Sequence, residues 1–203
     1  MEQGNRIEYY NRYQELQGLL KVAYVDLFSI KEIETAKTRL KEGQRTMLKS
    51  SYLVLQHIEE LLKADLALVL CKAYRDDDNR TNTIKHLGRY IQQNIDSALS
   101  IPPMRLSADL RDAENRLLQI RNTALAHNDS VKSEASIELS EMESILEEFN
   151  NILNKLCFPS IDERVKEISD KDISSLQLGV GFGLGSIISK SMMAVENSPS
   201  QSI

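Results

Sequence analysis

The chain has 203 residues, enough for one domain with a tail and for a core that needs no staples. Hydrophobic residues make up 41% and charged residues 27%, while Gly 8 and Pro 4 are too few for a turn-rich all-β sandwich. Net charge is −5, aromatics are 5% and Trp is absent, which excludes nucleic-acid binding through overall positive charge or through a broad stacking platform. Any such contact must use a local cluster of Arg and Lys.

The first element spans about Glu8 to Leu40. Leu16, Leu19, Leu20, Ala23, Leu27 and Ile30 recur at steps of three and four and describe one apolar helical stripe. Glu42-Gly43-Gln44 is a break. A second helix, about Thr46 to Tyr74, becomes apolar nearly all round at Ala64 to Leu70 and reads as central in a bundle. Asp76 to Asn79 ends it. A third stripe follows Thr83, with Ile84, Leu87, Ile91, Ile95 and Leu99. Pro102-Pro103 then forces a corner. A fourth helix starts near Ser107 and carries Leu110, Ala113, Leu117, Ile120 and Ala124 up to Asn128-Asp129-Ser130. A fifth opens at Ser140, with Glu143 completing a capping box, and runs to Pro159.

No segment alternates as a strand does. The pattern predicts an all-α, up-and-down bundle of about five helices over residues 1–158. Residues 159–203 read as a charged linker and a flexible, Gly/Ser-rich tail. In that tail Gly179, Gly181, Gly183 and Gly185 stand at every second position. No Lys-Ser or Lys-Thr follows them, so they form no phosphate loop. The apolar stretch is also too short to span a bilayer, and no membrane contact is expected. Cys71 and Cys157 sit in apolar runs and read as buried free thiols, which suits a reducing cytosol. The polar N-terminus has no apolar h-region, so no signal peptide is expected.

The residues with the most chemistry lie at the end of the fourth helix, in Arg121-Asn122-Thr123-Ala124-Leu125-Ala126-His127. An Arg guanidinium presents a planar fork that matches two phosphate oxygens. An imidazole exchanges protons near neutrality. Asn122 can orient either group. The plain alternative is a salt bridge, a helix cap and a surface imidazole. Arg121 and His127 are six residues apart, which on a continuous helix is about 120° off one face. The pair therefore needs a bend, a helix end before His127, or a second copy of the chain. A two-fold dimer would also supply the two proton-transfer groups that cleavage through a 2′-hydroxyl requires. His57 and His86 read as ordinary helix histidines. No His/Asp/Glu cluster has metal-ligand spacing, so neither metal nor cofactor is expected. Arg116 and Arg105 are eleven residues apart and would share a helical face, the candidate substrate-binding surface. Arg75 is an auxiliary candidate.

Arg121-Asn122 followed by Ala126-His127, late in an all-α domain of this length, resembles the HEPN superfamily and its abortive-infection AbiU-like branch. Members carry an Arg-x(4–6)-His motif, often with a polar residue after the Arg. Here the interval is five residues and the polar residue is Asn122. The likeness covers roughly residues 10–157. It implies a homodimeric, metal-independent endoribonuclease in toxin–antitoxin modules, phage defence or RNA processing. Arg121 would hold the scissile phosphate, His127 would act as general acid or base, and Asn122 would position one of them. The products would be a 2′,3′-cyclic phosphate and a 5′-hydroxyl. RNA and an antitoxin or regulatory protein are the implied partners. Some members have lost catalysis, so a non-catalytic helical interaction module is the alternative.

Overall fold

The computed structural model describes residues 3–39, 49–74, 82–126, 137–188 and 190. Six α-helices account for most of them, with no strand among the described residues. They are α1 (Gln3–Arg39), α2 (Lys49–Tyr74), α3 (Ile84–Tyr90), α4 (Arg111–Ala126), α5 (Leu139–Lys155) and α6 (Asp170–Val180). A π-helical turn, Ile91–Ile95, extends α3, and another, Gly181–Gly185, extends α6. A short 3₁₀ turn, Ala108–Leu110, leads into α4. The all-α reading of the sequence holds.

At 37 residues α1 is about 55 Å long and forms the spine. Tyr9, Tyr13, Leu16, Leu20, Ala23, Leu27, Ile30 and Ile33 are all buried. Their steps of three and four place them on one stripe, and α2, α3, α5 and α6 all pack on α1. The C-terminal half of α2 adds Leu66, Ala67, Leu70, Cys71 and Ala73 to the same core. Helix α5 contributes Met142, Ile145, Leu146, Phe149, Ile152 and Leu153. Thr83 caps α3, its Oγ1 accepting the His86 N–H at 3.1 Å.

Three boundaries differ from the sequence reading. The third helical stripe stops at the π turn, where Asp96 turns to extended backbone (φ −156°, ψ 114°), so Leu99 lies beyond it. Helix α5 begins at Leu139, one residue ahead of the expected opening at Ser140. Its first turn is closed by Glu141, whose Oε2 accepts the Glu138 N–H at 3.1 Å. Glu143, expected to complete a cap with Ser140, instead pairs with Lys31 on α1. An interhelical cation outcompetes a local backbone donor here. The expected break at Glu42 to Gln44 and the turn at Asp76 to Asn79 lie outside the described residues.

The largest difference follows Phe158. In place of a linker and flexible tail, Ile161, Val165 and Ile168 are buried in the main core. Backbone groups of this segment are held by side chains from the bundle. The Tyr9 hydroxyl donates to the Leu156 carbonyl at 2.8 Å and accepts the Phe158 N–H at 2.8 Å. Tyr13 and Gln17 both donate to the Lys166 carbonyl, at 3.2 and 2.8 Å. Asn154 pairs with both backbone groups of Ile168 at 3.0 Å. Asp162, with 1% of its side chain exposed, accepts two hydrogen bonds from Arg164 at 2.9 and 2.6 Å. Arg164 holds its carboxyl down at about 2.

Helix α6 then starts with a reciprocal cap: Ser169 Oγ accepts from the Asp172 N–H, and Asp172 Oδ2 from the Ser169 N–H. It runs along α1 into the glycine-rich turn. Gly181 and Gly185, four residues apart, both approach Glu32 of α1. A Cβ at Gly185 would stand 3.1 Å from Glu32 Oε2, so a larger residue there requires the Glu32 side chain to shift. Beyond it, Ile188 and Leu184 pack with Ile33, Ala36, Leu55 and Leu62 over the far end of α1 and α2. Residues 191–203 lie outside the described residues. No described helix is long and apolar enough to cross a membrane.

Two outcomes test this packing. Tyr9→Phe removes one donor and one acceptor from buried backbone groups, and it should lower unfolding free energy by about 1–3 kcal/mol in urea titration. Asp26 is buried on α1, its Oδ2 has no hydrogen-bond partner, and burial, then the Asp65 carboxylate, pushes its carboxyl up to about 6. The folded state therefore binds this proton more tightly than the unfolded chain does. The stability it confers is full below about pH 4 and lost as pH rises through about 6. Asp26→Asn should flatten that slope and stabilise the protein at pH 7 by about 1–2 kcal/mol.

Candidate functional site

Helix α4 carries the candidate residues. Its buried face is Ala113 and Leu117, with Leu118 and Ile120 packed beside the core. The buried Cys71 thiol on α2 lies 3.6 Å from the Leu117 carbonyl, in position to donate to it. Both cysteines are free thiols; Cys71 is buried and Cys157 half-buried, with burial pushing the Cys157 thiol up.

Arg121 is half-buried in the last turns of α4, with Asn122 next to it on the same helix. His127 follows Ala126 directly and lies outside the described residues, as does Arg75. The structure thus places Arg121 and the backbone of Asn122.

Arg116 has a defined role. Its guanidinium pairs with Glu141 in the first turn of α5. Glu141 also takes the Glu138 N–H, and these two contacts, the backbone one foremost, hold its carboxyl below the usual range. One carboxylate therefore closes the start of α5 and ties it to the middle of α4. Arg116 as a substrate-binding residue must share its guanidinium with this pair.

Arg105 does not share a helical face with Arg116. The corner at Pro102-Pro103 and the 3₁₀ turn place it ahead of α4, where backbone direction has changed. It borders a groove of about 530 Å³ between the Pro102–Leu110 segment and α5. Lys155 also lines this groove, but Asp109, Glu147 and Glu148 offset the two cations. Glu148 Oε1 further accepts the Ser107 N–H at 2.9 Å. The groove is mixed in charge rather than basic. Lys85 on α3 sits 4.3 Å from the Tyr74 ring centroid in a cation–π contact. His57 is exposed on α2 and His86 is half-buried on α3. Among the described residues, no three His, Cys, Asp or Glu side chains gather closely enough to hold a metal ion.

No protein-family profile, curated protein or solved structure matches the chain.

The Arg116–Glu141 pair is about one-third exposed on each side, which limits its energy. Arg116→Ala should cost less than about 1 kcal/mol in thermal or urea unfolding, and that cost should shrink in 0.5 M salt, at roughly half of the physiological screening length.

Proposed function

We propose that the chain acts as a HEPN-type endoribonuclease, working as a homodimer without a metal, in a toxin–antitoxin or phage-defence setting. The observation that carries this reading is the position of Arg121. It is half-buried near the end of an amphipathic α4, with Asn122 beside it and His127 six positions on, in an all-helical chain.

The chemistry follows from the residue types. RNA cleavage through its own 2′-hydroxyl needs that proton removed, the phosphorane charge stabilised and the 5′-oxygen protonated. Arg121 suits the second task, because a guanidinium fork binds two phosphate oxygens and stays charged throughout. His127 suits proton transfer at neutral pH. Each protomer supplies one imidazole, so a two-fold pair of motifs supplies both the base and the acid. Asn122 positions the imidazole or the RNA. Arg116 and Arg75 are the flanking phosphate contacts in this scheme. An antitoxin would act by covering the paired motifs.

A second reading is a non-catalytic helical interaction module. Leu53, Val54, Ile58 and Leu61 favour it, since they are exposed along one side of α2.

Purified protein should cut single-stranded RNA in EDTA and leave 2′,3′-cyclic phosphate ends. His127→Ala and Arg121→Ala should each lower the rate by at least about 100-fold with the thermal midpoint unchanged. Equal cleavage by wild type and His127→Ala across a broad RNA panel would sink the nuclease reading and leave the interaction module.

A further inference from the structure

In the first half of α2, Leu55 and Leu62 pack toward Ile33 and Ala36 of α1. A second face of the same helix points to solvent. Val54, Ile58 and Leu61 are 57%, 39% and 57% exposed there. With His57, Ala64, Asp65 and Leu68 they fall at steps of three and four, so all seven lie on one line along the helix. The apolar surface continues sideways onto α1, where Val22 and Val25 are exposed. Asp26, next to Val25, has its carboxyl pushed up by burial and then by Asp65, which sets these stretches of α1 and α2 side by side.

The order of residues along this face is symmetric about Leu61. Ile58 and Ala64 stand three positions to either side of it, His57 and Asp65 four, and Val54 and Leu68 seven. When two such helices lie antiparallel, with their Leu61 side chains on a two-fold axis, each residue meets its counterpart at the same distance from the axis. An imidazole N–H then faces the Asp65 carboxylate, once at each end. Ile58 fills the space over Ala64, and Val54 meets Leu68. Large side chains oppose small ones, apolar groups oppose apolar groups, and the two polar side chains of the line pair as donor and acceptor. A parallel arrangement would instead set Asp65 against Asp65. A partner of unrelated sequence would have to supply this complement, whereas a second copy of the chain already carries it.

We propose that this face of α2 is a homodimer interface in which the α2 helices of two chains run antiparallel about Leu61. The assignment rests on the homodimer of the nuclease reading and not on its chemistry.

Sedimentation equilibrium of the full chain should show a dimer at about 50 µM. Leu61→Glu, which sets two carboxylates on the axis, should weaken dimerisation at least about 30-fold, with helix content by circular dichroism unchanged. His57→Asp should weaken it about tenfold, and adding Asp65→His should restore it to within about threefold of wild type, because the swap recreates the pair in reverse. Phe182→Ser removes an exposed apolar side chain from the turn after α6 and should leave the dimer unchanged. A monomer at that concentration overturns the proposal, as does a dimer indifferent to Leu61→Glu. Equal weakening by Phe182→Ser overturns it in favour of nonspecific apolar association. A double variant as weak as His57→Asp alone overturns the antiparallel pairing. A wild-type dimer that is broken by Leu61→Glu but never cuts RNA sinks the nuclease reading and leaves this interface standing. A dimer that cuts RNA and ignores Leu61→Glu does the reverse.

Discussion

The apolar stripe of α1 must be covered along nearly its whole length, and the rest of the fold follows from that requirement. A single helix of 37 residues has no partner within itself for Tyr9, Leu16, Leu27 or Ile33. Each buried side chain of this size contributes about 1.5–3 kcal/mol when removed from water. Helix α2 covers much of the stripe, and α5 and α6 cover more of it. The far end, around Ile33 and Ala36, is reached by Ile188 and Leu184. A bundle ending at residue 158 would leave that end to α2 alone.

This explains what the sequence could and could not tell about the fold. Long helices with strict three-and-four spacing, such as α1 and α2, were legible because periodicity over many turns has few alternative explanations. The segment after Phe158 was not. Ile161, Val165 and Ile168 are only three apolar residues in a short stretch, and they sit among charges that make it look like a linker. Their burial depends on the Tyr9 hydroxyl, the Gln17 and Asn154 amides and the Asp162–Arg164 pair, which meet the backbone's hydrogen-bonding needs. Most of these contacts join residues far apart in sequence, and local pattern contains no trace of them. Glycine content misled in the same way. Gly181 and Gly185 read as flexibility in one dimension, yet in three dimensions they belong to an ordered turn beside Glu32 of α1.

The candidate site stood out more plainly. Arg121, Asn122 and His127 were noticed because their chemistry is concentrated in one short run. Asp26 could have been noticed too. It stands three residues after Ala23 and four before Ile30, so it is a carboxylate on the apolar stripe itself.

Charge is distributed in a way that bears on the nuclease reading. Several cations whose positions are described are committed to acidic partners: Arg116 to Glu141, Arg164 to Asp162, and Lys37 and Lys63 to Glu59. At Glu59, burial opposes ionisation, but the two lysines outweigh it and bring the carboxyl below its usual range. Such pairs tie helices together and cancel their own long-range field. With 30 acidic residues against 25 basic ones, the excess charge of the chain is acidic. Nonspecific attraction cannot draw a polyanion such as RNA to a surface of this balance. If RNA is the substrate, binding must rest on the few guanidiniums beside the scissile phosphate, doubled by two-fold symmetry.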